Sequence, residues 1–68
     1  MVKVNDKDMK WQEGMTVEDA IKFVEYPKYN YPILVVTQNG EHIQNDMFDK
    51  TPVAEGDVIK ILQPLAGG

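Results

Sequence analysis

The residues best placed to do chemistry are the last four, Leu65-Ala66-Gly67-Gly68. Glycine has no side chain to pack and loses more conformational freedom on ordering than any other residue. Two glycines at a free end stabilise no fold. They make sense where the end itself must enter a narrow site and another macromolecule acts on its carboxylate. Taken alone the dipeptide is a weak signal, because termini fray and a Gly-Gly end is also what a frayed tail looks like. Its context strengthens it. The tail comes directly after an apolar strand, Asp57 to Leu62, through Gln63 and Pro64. Proline fixes φ and biases its predecessor toward extended backbone. The expected tail, residues 63–68, is stiff at its root and slim at its tip, attached to a domain spanning residues 1–62.

Composition narrows the alternatives. The 68 residues make one small domain with a single core and little room for a deep pocket. There is no cysteine, which rules out disulfides and thiolate metal sites and suits a reducing compartment. Serine and arginine are also absent. The usual acyl-transfer nucleophiles are therefore missing, as is the bidentate phosphate clamp. Net charge is −4 and the seven lysines are scattered, unlike the basic stripe of a nucleic-acid binder. No apolar run is long enough to span a bilayer, and no signal peptide is evident. The expectation is a cytoplasmic protein, not itself an enzyme, that binds no metal, nucleic acid or membrane and meets other proteins.

The elements that would position the tail are legible in chain order. Val2 and Val4 alternate with Lys3, a half-buried strand. Asn5-Asp6-Lys7-Asp8 is a turn cluster, and Met9 and Trp11, alternating with Lys10 and Gln12, predict the returning strand. Thr16 is a good N-cap with Glu18 and Asp19 in the first turn. Val17, Ala20, Ile21 and Val24 then form the stripe of a helix packed on one side, ended by Tyr26-Pro27. Lys28 to Pro32 is a connecting loop. Ile33-Leu34-Val35-Val36 predicts a central strand covered on both faces. Asn39-Gly40 is a strong hairpin signal into a short strand, Glu41 to Ile43. Asn45 to Thr51 suits one helical turn pinned by Phe48. Val58 to Leu62 forms the last strand. The order β-β-α-β-β-short helix-β predicts an α+β domain of two layers, whose compact form is a β-grasp, or ubiquitin-like, roll. In that form the last strand lies mid-sheet beside the first.

Within the last strand, Ile59 and Ile61 share a face, which is the core face because Lys60 points the other way. Leu62 then lies beside Lys60, exposed and next to the tail, where it can serve as a docking residue. Smaller signals stay bland. His42 reads as a solvated hairpin side chain. Asp46, Asp49, Glu55 and Asp57 lack the spacing of a calcium loop and read as turn residues. Tyr26, Tyr29 and Tyr31 read either as a contact patch or as packing over the open end of the core. Trp11 reads either as core or as part of a partner-facing surface.

Val4-Asn5-Asp6, Glu13-Gly14-Met15-Thr16-Val17, Glu55-Gly56-Asp57-Val58-Ile59 and the closing Leu65-Ala66-Gly67-Gly68 together resemble the ThiS/MoaD family of ubiquitin-like sulfur carriers, its ThiS branch most closely. The resemblance covers essentially the whole chain. Phe48 stands where many ThiS sequences have tryptophan, Pro52 where an aliphatic residue is usual, and Gln63-Pro64 leans toward the MoaD branch. The resemblance implies a carrier, monomeric when free, with no bound cofactor. Its Gly68 is adenylated by a ThiF-like enzyme using ATP and Mg²⁺. Sulfur from a persulfide donor then makes a thiocarboxylate, which thiazole synthase ThiG consumes. Gly67 would thread beneath the nucleotide, with Leu65 as anchor, Ala66 and Pro64 completing the tail, and Leu62 and Lys60 docking the partner. A MoaD-like subunit of molybdopterin synthase, a modifier conjugated through its Gly-Gly end, and a plain β-grasp interaction module remain alternatives.

Overall fold

In the computed structural model, which describes residues 1–64, the chain begins with a hairpin tighter than the alternation predicts. Strand β1 is Val2–Val4 and β2 is Lys7–Met9, with Val4 paired to Lys7 across two residues. Those two, Asn5 and Asp6, both adopt positive φ, 50° and 67°. Two left-handed residues make the turn whose twist matches the flanking strands. The return strand therefore starts at Lys7, ahead of the expected Met9–Trp11. Trp11 falls beyond the sheet, half-buried against the core, and its indole N–H donates to the Val53 carbonyl at 2.7 Å.

Helix α1 is Val17–Phe23, and Val17, Ala20 and Ile21 are its buried stripe. The Thr16 N–H donates to the Asp19 carboxylate at 2.9 Å, which ties down the entry. The first helical N–H groups have no intrahelical acceptor. Here Val17 donates to the Thr51 carbonyl and Glu18 to that of Phe48, at 3.0 and 2.8 Å. The helix stops at Val24, before the expected Tyr26-Pro27, in a Schellman turn. Glu25 donates to the Lys22 carbonyl and Tyr26 to that of Ile21, with Glu25 at φ 67°. That exposed, left-handed position suits glycine. Glu25→Gly is expected to stabilise the fold by about 1 kcal/mol, seen as a higher urea midpoint at unchanged m-value.

The expected strand Ile33–Val36 is displaced. A 3-10 segment, Lys28–Ile33, replaces the predicted loop and takes Ile33 with it, and the Leu34 N–H closes onto the Tyr31 carbonyl at 3.2 Å. Strand β3 is Val35–Gln38. Only one face of it is covered: Val36 is buried, Val35 is half-buried on the other face, and Ile33 is exposed. An uninterrupted apolar run signals burial without saying which groups obtain it. Strand β4 is Glu41–Ile43, reached through Asn39-Gly40 with φ 52° and 87°, as the hairpin signal predicts. A second 3-10 segment, Asn45–Met47, presents Phe48, only 1% exposed, to the core. Tyr31 meets that ring edge-on at a centroid distance of 5.6 Å, and Tyr26 also packs on the core. The tyrosines are thus mainly packing, although Tyr29 is exposed.

Strand β5, Val58–Leu62, alternates as predicted, with Ile59 and Ile61 buried and Val58, Lys60 and Leu62 exposed. The described sheet runs β2-β1-β5-β3-β4, with β5 parallel to β1 and antiparallel to β3. Its covered face carries Val2, Val4, Val36, Ile59 and Ile61, which form one buried cluster with Val17, Ala20 and Ile21 of the helix and with Phe48. The result is the α+β β-grasp roll, and the last strand lies in mid-sheet.

Candidate functional site

The site is built around the end of β5. Because the strand is central, its backbone bonds on both edges, and its buried isoleucines face the core. The backbone beyond Leu62 departs from a mid-sheet strand that stays paired to β3 as far as Leu62. Leu62, Gln63 and Pro64 are all exposed. The Gln63 side-chain oxygen accepts from the Asn30 amide at 3.2 Å, which links the root of the tail to the 3-10 segment. Leu65, Ala66, Gly67 and Gly68 lie outside the described residues.

The face of the sheet turned away from α1 forms the surface beside that root. Period-two alternation places Val58, Lys60 and Leu62 on it. The register sets Leu62 opposite Val35, Lys60 opposite Thr37, and Lys3 beside Val58. Leu62 is 63% exposed and Val58 42%, two apolar side chains flanking the Lys60 ammonium. Sequence reasoning found Leu62 and Lys60 from the alternation, and the structure brings them to one surface. It missed Val58 and Val35. Val58 was legible two positions before Lys60. Val35 was hidden by its place in the apolar run.

Charge on this face is sparse. Lys3 donates to the Asp8 carboxylate across β1 and β2 at 2.8 Å. That bond holds the Lys3 pKa above its ordinary value and that of Asp8 below. Both groups are in water, so the pair fixes orientation more than it stabilises. Lys60 forms no ion pair among the described residues, so its charge remains available to a partner. At the other end of β5, Asp57 is partly buried. Burial pushes its carboxyl up, but bonds from the Asn39 and Gln38 amides and the Ala54 N–H outweigh it and leave the pKa below the ordinary value.

Among the described residues no polar or charged side chain is buried, and no group of three His, Cys, Asp or Glu could hold a metal ion. No described helix is long and apolar enough to cross a membrane. The chemistry on offer is presentation: a strand end in mid-sheet, a small apolar face with one cation, Lys60, unpaired among the described residues, and a sequence that ends in Ala66-Gly67-Gly68.

Comparison with known proteins bears on the whole chain. Two solved structures from Geobacter metallireducens have the same fold. One is a crystal structure of a thiamine biosynthesis protein (ThiS), 26% identical, covering 98% of this chain and 97% of that chain, with a TM-score of 0.72. The other is a solution structure of a thiamine biosynthesis protein, 25% identical, covering 98% and 86%, with a TM-score of 0.75. No curated protein matches. The model of the ThiS family matches residues 2–68, from the first strand through the last glycine, and the chain belongs to that family.

Proposed function

We propose that this chain is the sulfur carrier for the thiazole of thiamine and works in the cytoplasm through the carboxylate of Gly68. The observation that carries the reading is the family match across residues 2–68, tail included, on a fold whose final strand is central and ends at an exposed Leu62. A carboxylate is a poor electrophile. In the proposed reaction a ThiF-like enzyme binds ATP and Mg²⁺, the Gly68 carboxylate attacks the α-phosphorus, and pyrophosphate leaves. A partner's persulfide sulfur then attacks the acyl carbon and displaces AMP. A second partner thiol cleaves the resulting acyl disulfide, leaving the thiocarboxylate on Gly68 and a disulfide on the partner. ThiG takes the sulfur. This chain's own part is docking through Leu62, with Lys60, Val58 and Val35 around it, and threading through Gly67, where a Cβ would meet the walls of the partner's channel. With no cysteine of its own, the chain has no thiol that could intercept the activated ester.

Two substitutions separate docking from threading. Leu62→Asp places a carboxylate in the apolar dock and is expected to weaken binding to the adenylating enzyme about tenfold or more, roughly 1.4 kcal/mol. ATP–pyrophosphate exchange at saturating carrier should stay near normal. Gly67→Val is expected to bind within about threefold of the parent yet support no exchange. Normal binding by Leu62→Asp together with continued exchange by Gly67→Val would contradict both assignments.

A further inference from the structure

Two asparagines hold β5, one at each end. Both are the first residue of a two-residue hairpin turn, and both are left-handed, Asn5 at φ 50° and Asn39 at φ 52°. Asn39 donates its N–H to the Val58 carbonyl at 2.7 Å and accepts the Val58 N–H on its side-chain oxygen at 2.9 Å. Asn5 donates its N–H to the Ile59 carbonyl at 3.0 Å. Its carboxamide does more. Its oxygen accepts the Ile61 N–H at 2.8 Å, and its nitrogen donates to the Ile61 carbonyl at 3.0 Å.

That pair completes a ladder. The parallel pairing of β1 with β5 runs through Lys3–Val58 and Val4–Ile59, after which β1 turns away into its hairpin. Ile61 would then have no backbone partner on that edge. The Asn5 carboxamide presents an N–H and a carbonyl oxygen side by side, as a peptide backbone does, and extends the ladder by one rung. Ile61 immediately precedes Leu62 and the start of the tail.

We propose that Asn5 is a positioning residue for the reactive carboxylate, its side chain fixing the strand end from which residues 63–68 depart. The proposal rests on the carrier reading above. Six residues separate Leu62 from the reacting carboxylate, a reach of at most about 20 Å, so the strand end sets the origin from which that carboxylate is presented. Misplacement by about 1 Å at a reacting centre can cost about a hundredfold in rate. A turn-forming role alone would make Asn5 and Asn39 equivalent. Their difference is which end of β5 each one holds.

Asn5→Gly and Asn39→Gly form the matched test, since glycine keeps the left-handed turn and deletes only the side-chain bonds. With a ThiF-like adenylating enzyme, ATP and labelled pyrophosphate, Asn5→Gly is expected to lower kcat for exchange about tenfold. Its KM for carrier should rise less than kcat falls, because Leu62 and Lys60 themselves are unchanged. Asn39→Gly should leave both constants at the parent values. Independently of any partner, the Ile61 amide of Asn5→Gly should exchange with deuterium at least about tenfold faster, while in Asn39→Gly it stays protected. Equal kinetics for the two variants, or an Ile61 amide unaffected by Asn5→Gly, would overturn the proposal. Absence of exchange with the unmodified chain would instead overturn the carrier reading, and the amide measurement would still decide whether the clamp exists.

Discussion

Deletion of Gly68 is expected to abolish sulfur transfer while leaving the melting temperature within about one degree. The buried cluster runs from Val2 to Ile61, and removing the last residue takes nothing from it. In a domain of this size a change of 1 kcal/mol moves the melting temperature by about 4–8 °C. A residue outside the core should therefore register as almost nothing. The reacting carboxylate, however, would move onto Gly67, a retreat of about 3.5 Å. A displacement of that size exceeds what an adenylating centre tolerates, and the expected loss of rate is more than about a hundredfold. Differential scanning calorimetry and a single-turnover transfer assay on the same preparation measure both. Transfer that survived the deletion would remove Gly68 from the mechanism.

Phe48→Ala is expected to do the reverse. Phe48 is 1% exposed, its ring lies edge-on to Tyr31, and its carbonyl accepts the Glu18 N–H at the start of α1. Truncation leaves a cavity where the second 3-10 segment meets the helix, and phenylalanine-to-alanine changes in cores cost about 3–5 kcal/mol. Natural domains hold only about 5–15 kcal/mol in total, and one this small is at the low end. The urea midpoint should fall steeply at unchanged m-value. Pyrophosphate exchange should fall only in proportion to the unfolded fraction, because Phe48 lies in the core and not on the proposed docking face. A midpoint shifted by less than about 1 kcal/mol equivalent would mean that the segment after β4 is not the core plug described.

Much of this arrangement is legible in the residues, and the exceptions have physical causes. The alternation of Ile59 and Ile61 with Lys60 and Leu62 has one solution once a single face is buried, so both the core side and the open side of β5 can be read from the strand's own residues. Asn39-Gly40 names its turn because both residues tolerate positive φ. Asn5-Asp6 makes the same turn without glycine, and Met9 and Trp11 alternate well enough to imitate a strand, so the first hairpin reads too long. In Ile33 to Val36 the pattern is continuous, and Pro32, inside a 3-10 turn, settles where the strand begins. The side-chain bonds of Asn5 join residues 56 positions apart. They exist only because β1 and β5 are parallel neighbours, a long-range relation that local periodicity does not encode. Val35 was missed for a related reason, since only the sheet's single covered face shows that a valine in an apolar run can belong to the open side.

The most direct test of the carrier assignment is the mass of the protein after turnover. The full chain is incubated with ATP, Mg²⁺, a ThiF-like adenylating enzyme and a persulfide donor, then analysed intact and by fragmentation. Replacement of one oxygen by sulfur, localised to Gly68, is the predicted result. Isopeptide-linked adducts of Gly68 to lysines of other proteins, with no thiocarboxylate formed, would contradict it.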